Sequence, residues 1–196
     1  MVHQSNHGSS EIIDLLRSKI LQIFRLYFIK YYIDWHRKSF EVKDENRNAF
    51  LTTLYSSLDF SHFMLLSRIF DNDVKVFSVT NIAKILGNYQ DPFFKDEIIK
   101  NHENIKLLFI WRANVFAHDN FNVALSSVIV DDIHPNHMLD FNFIELQYCL
   151  VNLFCRYNYY IREQKKTYDE IKLEFIKVLK DKEIICKKSV DLIMKS

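Results

Sequence analysis

Apolar side chains recur every three or four positions along most of this sequence, the spacing that places them on one face of an α-helix. In the first such segment, which Ser10 can cap, the apolar positions are Ile12, Ile13, Leu16, Ile20, Ile23, Phe24, Tyr27, Phe28 and Tyr31. In the second, over residues 44–70, they are Leu51, Leu54, Leu58, Leu65 and Ile69, with His62 among them. The pattern predicts two long helices, each with a broad buried face.

Capping and helix-breaking residues mark a third and a fourth helix. Ser78 can cap a short helix over residues 79–86, and Gly87 follows as its terminator. The next helix is expected to begin after Asp91 and Pro92 and to continue without interruption to about residue 116.

Two more helices are predicted in the last third of the chain. Asp140 can cap a fifth helix that continues to residue 162. Thr167, with Glu170 three positions later, forms a capping box for a sixth, which is rich in lysine and is expected to break near residues 180–182.

Composition favours an all-helical protein. The chain has two glycines and two prolines in 196 residues, where average usage is roughly 7% and 5%. Many short strands joined by tight turns are therefore excluded, and so are glycine-rich phosphate loops, because Gly8 and Gly87 stand far apart. Only residues 120–139 leave a choice open, between a short strand and an extra helical turn, with a loop around Pro135.

No internal repeat or linker interrupts the helical pattern. We therefore expect an all-α fold, a single bundle of five to six helices, over residues 11–196. Residues 1–10 are expected to form a flexible tail, and residues 163–196 a C-terminal helical extension of the domain.

Net charge and cysteine content limit which partners and which cellular compartment suit this protein. The 26 basic and 25 acidic residues give a net charge of +1, so a nucleic-acid partner must meet a local basic patch. Cys149, Cys155 and Cys186 form no CxxC pair and are typical of small buried side chains in a reducing compartment. Neither a secretory leader nor an uninterrupted apolar span is present, which predicts a cytoplasmic protein without a membrane partner.

The string WRANVFAHDN, residues 111–120, holds the most informative pair of side chains. An arginine guanidinium can bind phosphate oxygens through paired donors, and an imidazole can exchange protons near neutral pH. In RNA cleavage the 2′-hydroxyl attacks the neighbouring phosphate, so one group must remove its proton and another must stabilise the charged transition state. Arg112 and His118 fit these two tasks, and neither needs a metal or a cofactor.

Helix geometry limits how this pair can meet. Six steps along a continuous helix leave the two side chains roughly 120° apart in azimuth and about 9 Å apart in rise. Either the helix ends before His118 and the chain bends back, or two chains face each other across a shared cleft. In a third, purely structural alternative, Arg112 and His118 only stabilise the C-terminal end of a helix, where cations are favourable.

A resemblance to a known family adds to this argument. RANVFAHDN is similar to the Arg-x(4 to 6)-His signature of the HEPN superfamily, and its surroundings resemble the AbiU-type abortive-infection branch. LLSRIFD at residues 65–71 resembles that branch's helix ending, and FSV at residues 77–79, with Ile82 and Leu86, resembles its following helix. The similarity covers residues 58–119.

The resemblance implies a fold, an assembly and an activity. HEPN proteins are helical bundles that form two-fold homodimers, and many are metal-independent endoribonucleases of toxin or anti-phage systems. By this resemblance Arg112 would bind the scissile phosphate and His118 would act as general acid or base. The supporting residues would be Arg68, Asp71, Asn114, Asp119 and Asn120.

Two positions depart from the family pattern. Ala113 follows the motif arginine, where many active members carry a polar residue, and the polar Asn114 comes one place later. Asn120 occupies the position where members silenced by tyrosine adenylylation carry tyrosine, so that form of control is not expected.

Other polar residues have competing interpretations. Arg68 and Asp71 can orient the site or form an ion pair that finishes the second helix. His62 is typical of a satisfied core histidine rather than a catalytic one. The Asp- and His-rich residues 131–140 have ligand types that suit a metal, but in a loop without cysteine we expect no metal site.

Two surface features also have simple explanations. The C-terminal lysines alternate with carboxylates, which favours a solvated helix face over a track for an RNA backbone. The aromatic string RLYFIKYYIDW, residues 25–35, favours a core or a subunit interface over a surface that stacks bases.

The sequence therefore predicts an endoribonuclease that cleaves single-stranded or loop RNA as a toxin or defence effector, controlled by an antitoxin or a defence-system partner. The alternative is a catalytically inactive helical bundle that binds RNA, a nucleotide or a protein through the same cleft.

Overall fold

The computed structural model describes residues 6–39, 45–112, 143–161 and 166–195. These residues form seven helices and no strand, which confirms an all-α fold for this part of the chain. The helices are α1 (Asn6–Ser39), α2 (Glu45–Ile69), α3 (Val79–Ile85), α4 (Pro92–Lys100), α5 (His102–Trp111), α6 (Phe143–Ile161) and α7 (Tyr168–Lys195).

The chain divides into two compact units. The first combines Met1–Leu65 with Phe154–Ser196, so that the two ends of the chain fold together. The second is the continuous segment Leu66–Leu153.

In the first unit α1 and α7 are the main partners, and α2 adds to their apolar contact. Ile33, Leu51 and Val190, one from each helix, form a buried cluster in which each side chain is no more than 3% exposed. Phe154 and Phe175 pack with ring centroids 4.6 Å apart. Burying such side chains supplies most of the stabilisation of a helical unit.

Polar contacts at the rim of this core fix the register of its helices. Lys30 donates a hydrogen bond to Asp59 at 2.5 Å, joining α1 to α2. His36 Nε2 lies 2.7 Å from Asp191 Oδ1, joining α1 to α7. Both contacts are partly buried, so the Lys30–Asp59 ion pair is screened less than a pair on the open surface.

In the second unit, side chains at the helix ends behave as the sequence predicts. Ser78 caps α3 by accepting a hydrogen bond from the Asn81 N–H at 3.4 Å. Gly87 follows α3 with φ +73, the left-handed conformation that glycine adopts without strain. Asp91 caps α4 through the Phe93 N–H at 3.0 Å, with Pro92 in the first turn.

The predicted fourth helix is instead two helices. Asn101 separates α4 from α5, and its side chain donates to the Glu97 carbonyl at 2.9 Å. An asparagine side chain that bonds to a backbone group competes with helix continuation. The prediction of one uninterrupted helix from Pro92 was wrong at this residue.

Two other boundaries differ from expectation. α1 begins at Asn6, so Ser10 lies inside the helix and does not cap it. No proline precedes Ser10, so the helix can extend toward the N-terminus. α7 continues through residues 180–182 without a break, because Leu179, Cys186 and Val190 keep one buried face on both sides of that point.

Several predictions fall outside the described residues. These are the helix beyond Arg112, the choice between strand and turn over residues 120–139, and the Asp140 cap.

Candidate functional site

Arg112 stands directly after the last residue of α5, and its guanidinium contacts Asp71. The Nη1 atom donates to Asp71 Oδ2 at 2.5 Å, although the two residues are 41 positions apart. The Arg112 side chain is 32% exposed and the Asp71 side chain 16%. A charged pair of this kind holds the guanidinium in one orientation while part of it still faces solvent.

The backbone around Asp71 is itself held in place. Its N–H donates to the Arg68 carbonyl at 3.2 Å, which ends α2, and its Oδ1 accepts from the Asp73 N–H at 2.9 Å. The second contact is an Asx turn, which leaves Oδ2 directed to Arg112. Both carboxylate oxygens therefore have defined partners.

The loop that follows Asp71 is tied to α3. The Asn81 side-chain amide donates to the Asp73 carbonyl at 2.7 Å and to the Val76 carbonyl at 2.8 Å. Thr80 donates to the Asn72 side chain at 3.1 Å. These contacts give the loop a set shape, so Asp71 is a fixed anchor for Arg112.

The ionisation of Asp71 follows from this environment. Burial on its own would raise the pKa of the carboxyl group, but the hydrogen bond from Arg112 and the backbone N–H of Asp73 outweigh it and lower the pKa below its ordinary value. Asp71 is therefore a carboxylate at neutral pH and does not serve as a proton donor there.

With respect to the residues that the structure describes, the guanidinium of Arg112 keeps donors for a ligand. A guanidinium has five N–H donors in a planar fork, and the Nη1 contact with Asp71 uses one of them. A phosphate could bind to the remaining donors, because the side chain is partly exposed.

The other predicted site residues divide into two groups. Arg68 is exposed in the last turn of α2, and within the described ranges Asp71 forms its ion pair with Arg112, not with Arg68. Arg68 and Asp71 could have paired with each other at the end of α2 or oriented the site. The structure places Asp71 beside Arg112. The remaining predicted residues, Asn114, His118, Asp119 and Asn120, lie outside the described residues.

The second unit also holds the base of α5 in position. The Asn104 side chain donates to Glu145 of α6 at 3.0 Å, and Asn152 of α6 donates to Glu97 of α4 at 3.3 Å. Leu108, one turn before Arg112, is completely buried. A hydrogen bond near its start and a buried leucine one turn before Arg112 therefore anchor α5 within this unit.

Buried residues that could be mistaken for functional ones have structural roles. Cys149, Cys155 and Cys186 are free and buried, as predicted. Burial raises the pKa of the Cys155 thiol to about 12, so it is not a nucleophile at neutral pH. His62 is fully buried, with its ring centroid 6.0 Å from that of Tyr27.

Two clefts lie in the first unit, one of them at the aromatic residues 25–35, for which the sequence favoured a core or a subunit interface. One, of about 480 Å³, is lined by aromatic residues of α1 together with Glu183 and Lys187 of α7. The other, of about 700 Å³, carries Arg17, Arg25 and Lys182 with a single carboxylate, Asp14. The helical spacing of these residues was visible, but which positions stay open to solvent is decided by how α7 packs on α1.

The described residues were also compared with the requirements of a metal site and of a membrane span. They contain no group of three or more metal-ligating side chains, and the Asp- and His-rich residues 131–140 fall outside them. No helix among the described ranges is long and apolar enough to cross a membrane.

Known proteins offer no counterpart. The chain matches no protein-family model, no curated protein and no solved structure. The similarity to the HEPN superfamily is therefore confined to the short motifs at residues 58–119.

Proposed function

We propose that this chain is a metal-independent endoribonuclease of the HEPN type, which cleaves single-stranded or loop RNA as a toxin or anti-phage effector. The observation that carries the proposal is the contact between Arg112 and Asp71. It joins the motif arginine to Asp71, a residue that the sequence offered as a support for the site, across 41 positions of sequence.

The proposed chemistry divides between two side chains. Arg112 binds the scissile phosphate and stabilises the negative charge of the transition state. His118 removes the proton of the attacking 2′-hydroxyl or delivers one to the departing 5′-oxygen. The bond from phosphorus to the 2′-oxygen forms and the bond to the 5′-oxygen breaks, which leaves a 2′,3′-cyclic phosphate and a 5′-hydroxyl.

Asp71 has a positioning role in this proposal. It holds the guanidinium and remains ionised at neutral pH, because burial raises the pKa of Asp71 less than Arg112 and the neighbouring backbone N–H groups together lower it. Asn114, Asp119 and Asn120 follow in the same stretch and are proposed to orient His118 or the substrate. A two-fold homodimer would bring two copies of the stretch together.

A basic cleft is consistent with an RNA substrate. Arg17, Arg25 and Lys182 line the 700 Å³ cleft of the first unit, and one carboxylate opposes them. With a net chain charge of only +1, such a local cluster is what an RNA backbone would need.

The test measures cleavage of single-stranded RNA in excess chelator. We expect Arg112→Ala and His118→Ala to lose roughly 100-fold or more in rate, with Arg112→Lys recovering part of the loss. Asp71→Asn should lower the rate less, because Arg112 remains present. Matched controls on α5 are Lys106→Ala and His102→Ala, two exposed residues that should leave the rate unchanged.

The products and the phenotype give independent readouts. Product ends should carry a cyclic phosphate, and induced expression should arrest growth with the wild-type chain but not with His118→Ala. Unchanged cleavage in both Arg112→Ala and His118→Ala would refute this site. RNA binding without any turnover would favour the alternative, an inactive RNA-binding bundle.

A further inference from the structure

An aromatic cleft separates part of α1 from α7 in the first unit. It has a volume of about 480 Å³, within the roughly 300–1,000 Å³ typical of small-molecule sites. Its lining residues are Tyr27, Phe28, Tyr31, Tyr32, Trp35, Glu183 and Lys187. Tyr31 and Trp35, one helical turn apart, are 51% and 45% exposed.

The exposed rings are held in position by their neighbours. Tyr27 and Tyr31 stack with centroids 6.4 Å apart and ring planes at 25°. Tyr32 meets Tyr31 edge-on at 5.2 Å and 82°. The Tyr31 ring is thus held by two neighbouring rings, while the residue lines the cleft and is 51% exposed, which makes it a preformed stacking surface.

Two charged side chains from successive turns of α7 complete the cleft. The Tyr32 hydroxyl donates to Glu183 Oε1 at 2.9 Å, which fixes that carboxylate beside the rings. Lys187 Nζ lies 5.8 Å from the centroid of the Tyr32 ring. An acceptor and a cation therefore flank one aromatic surface.

We propose that this cleft binds a nucleotide, either free or as a unit of single-stranded RNA. The base stacks on Tyr31 and Trp35, since every base presents a π-face to an aromatic side chain. Glu183 accepts a hydrogen bond from an exocyclic amino group of the base. Lys187 binds the phosphate.

The charges distinguish this ligand from other occupants of an aromatic cleft. A quaternary ammonium ligand would suit the rings and Glu183, but the Lys187 ammonium would repel it. An apolar protein surface would remove both charges from water and offer neither of them an ionic partner, which is unfavourable. A nucleotide offers a ring, a donor and an anion together.

The inference goes beyond the proposed function and does not depend on it. The cleft lies in the first unit, whereas Arg112 and Asp71 belong to the second. Binding is therefore measured on the full-length His118→Ala chain, in which the proposed cleavage does not consume the ligand.

The experiment is calorimetric titration with three ligands. Adenosine monophosphate should bind more tightly than adenosine, which lacks the phosphate, and more tightly than purine riboside monophosphate, which lacks the amino group. Tyr31→Ala and Trp35→Ala should each weaken binding of adenosine monophosphate roughly tenfold. Tyr148→Ala, an exposed aromatic residue of α6, is the matched control and should leave the affinity unchanged.

The charged residues have their own variants. Lys187→Ala should make the affinities for adenosine monophosphate and adenosine equal, whereas Lys188→Ala, the exposed neighbour on α7, should preserve the difference. Glu183→Gln should remove the preference for a base with an amino group. If the cleft only stacked the base on its rings, neither Lys187→Ala nor Glu183→Gln would change the preference among these ligands.

Titration with a single-stranded oligoadenylate shows whether the ligand is a free nucleotide or a unit of RNA. Tighter binding than the monophosphate, lost in Trp35→Ala, identifies RNA; equal binding identifies a free nucleotide. Unchanged affinity for all ligands in both Tyr31→Ala and Trp35→Ala would overturn the proposal. So would a fall in solution mass in these variants without any nucleotide binding by the parent chain, since the cleft would then be a protein interface.

Discussion

His62 is a titratable residue with no access to solvent, in the middle of α2. Burial lowers the pKa of its imidazole to about 3, and the nearby Lys30 ammonium acts in the same direction. At neutral pH the ring is therefore uncharged, as expected for a core histidine. It is not a candidate for the acid or base in catalysis.

This burial predicts a pH dependence of stability. Below about pH 6.5 the unfolded chain protonates His62, but the folded chain does not until about pH 3. The unfolded state is favoured by about 1.4 kcal/mol per pH unit in that window. Between pH 7 and pH 5 the free energy of unfolding should therefore fall by about 2 kcal/mol more in the wild-type chain than in His62→Gln.

Urea unfolding at several pH values measures this difference. The quantity to compare is the slope of the free energy of unfolding against pH, not its absolute value. His102→Gln is the control, because the His102 side chain is 67% exposed and should leave the wild-type slope intact. An identical slope in His62→Gln would contradict the prediction.

At the same scale, the sequence singled out Arg112 as a candidate but did not decide which arginine pairs with Asp71. Arg68 stands three positions from Asp71 and Arg112 stands 41 positions away, so local spacing favours the nearer arginine. The structure places the guanidinium of Arg112 on Asp71. That contact depends on where α5 ends relative to the loop after α2, which is a tertiary property.

At the scale of the element, the start of α7 follows its sequence signal closely. The Glu170 N–H donates to Thr167 Oγ1 at 3.2 Å, and the Glu170 carboxylate accepts from the Thr167 N–H at 2.7 Å. This is the reciprocal capping box that the spacing predicted. The Thr167 N–H and hydroxyl, both bonded to the Glu170 carboxylate, lower its pKa.

We expect Thr167→Ala to destabilise the protein by about 1 kcal/mol, because the first turn of α7 loses a capping acceptor. Equilibrium unfolding in urea, followed by circular dichroism, measures the change. Thr53→Ala is the matched control, since that exposed threonine lies inside α2 and bonds only to its own helix at Ala49. An equal effect of the two substitutions would argue against the capping box.

Two helix boundaries were predicted wrongly, each for a different physical reason. Asn101 divides α4 from α5 through a side-chain hydrogen bond to Glu97, and periodicity alone does not report such a bond. The lysines near residue 180 suggested a break, yet a continuous buried face holds α7 together. The local sequence pattern was outweighed by a hydrogen bond at Asn101 and by helix packing near residue 180.

At the scale of the whole molecule, the two ends of the chain fold into one unit while the middle forms another. Because α1 and α7 pack together, the C-terminal helix is part of the core of that unit: Ile171, Phe175 and Leu179 are buried. The proposed activity adds a second level of organisation, a two-fold homodimer.

The dimer predicts a mass in solution of twice the 23.6 kDa chain. Sedimentation equilibrium at the concentrations used for RNA cleavage measures it, and dilution should lower mass and activity together. A fully active monomer would contradict the shared-site arrangement. The Arg112→Ala chain serves as control, since a loss of catalysis there should leave the mass unchanged.

The sequence by itself determined the all-helical class, the caps of α3, α4 and α7, and the identity of the arginine at the end of α5. These depend on residues close together in the chain, whose spacing and backbone preferences act locally. Only the tertiary structure decided that Arg112 meets Asp71, that Tyr31 and Trp35 stay exposed beside Glu183 and Lys187, and that the chain ends share a unit. These depend on how distant helices pack, and packing follows from the burial of whole faces.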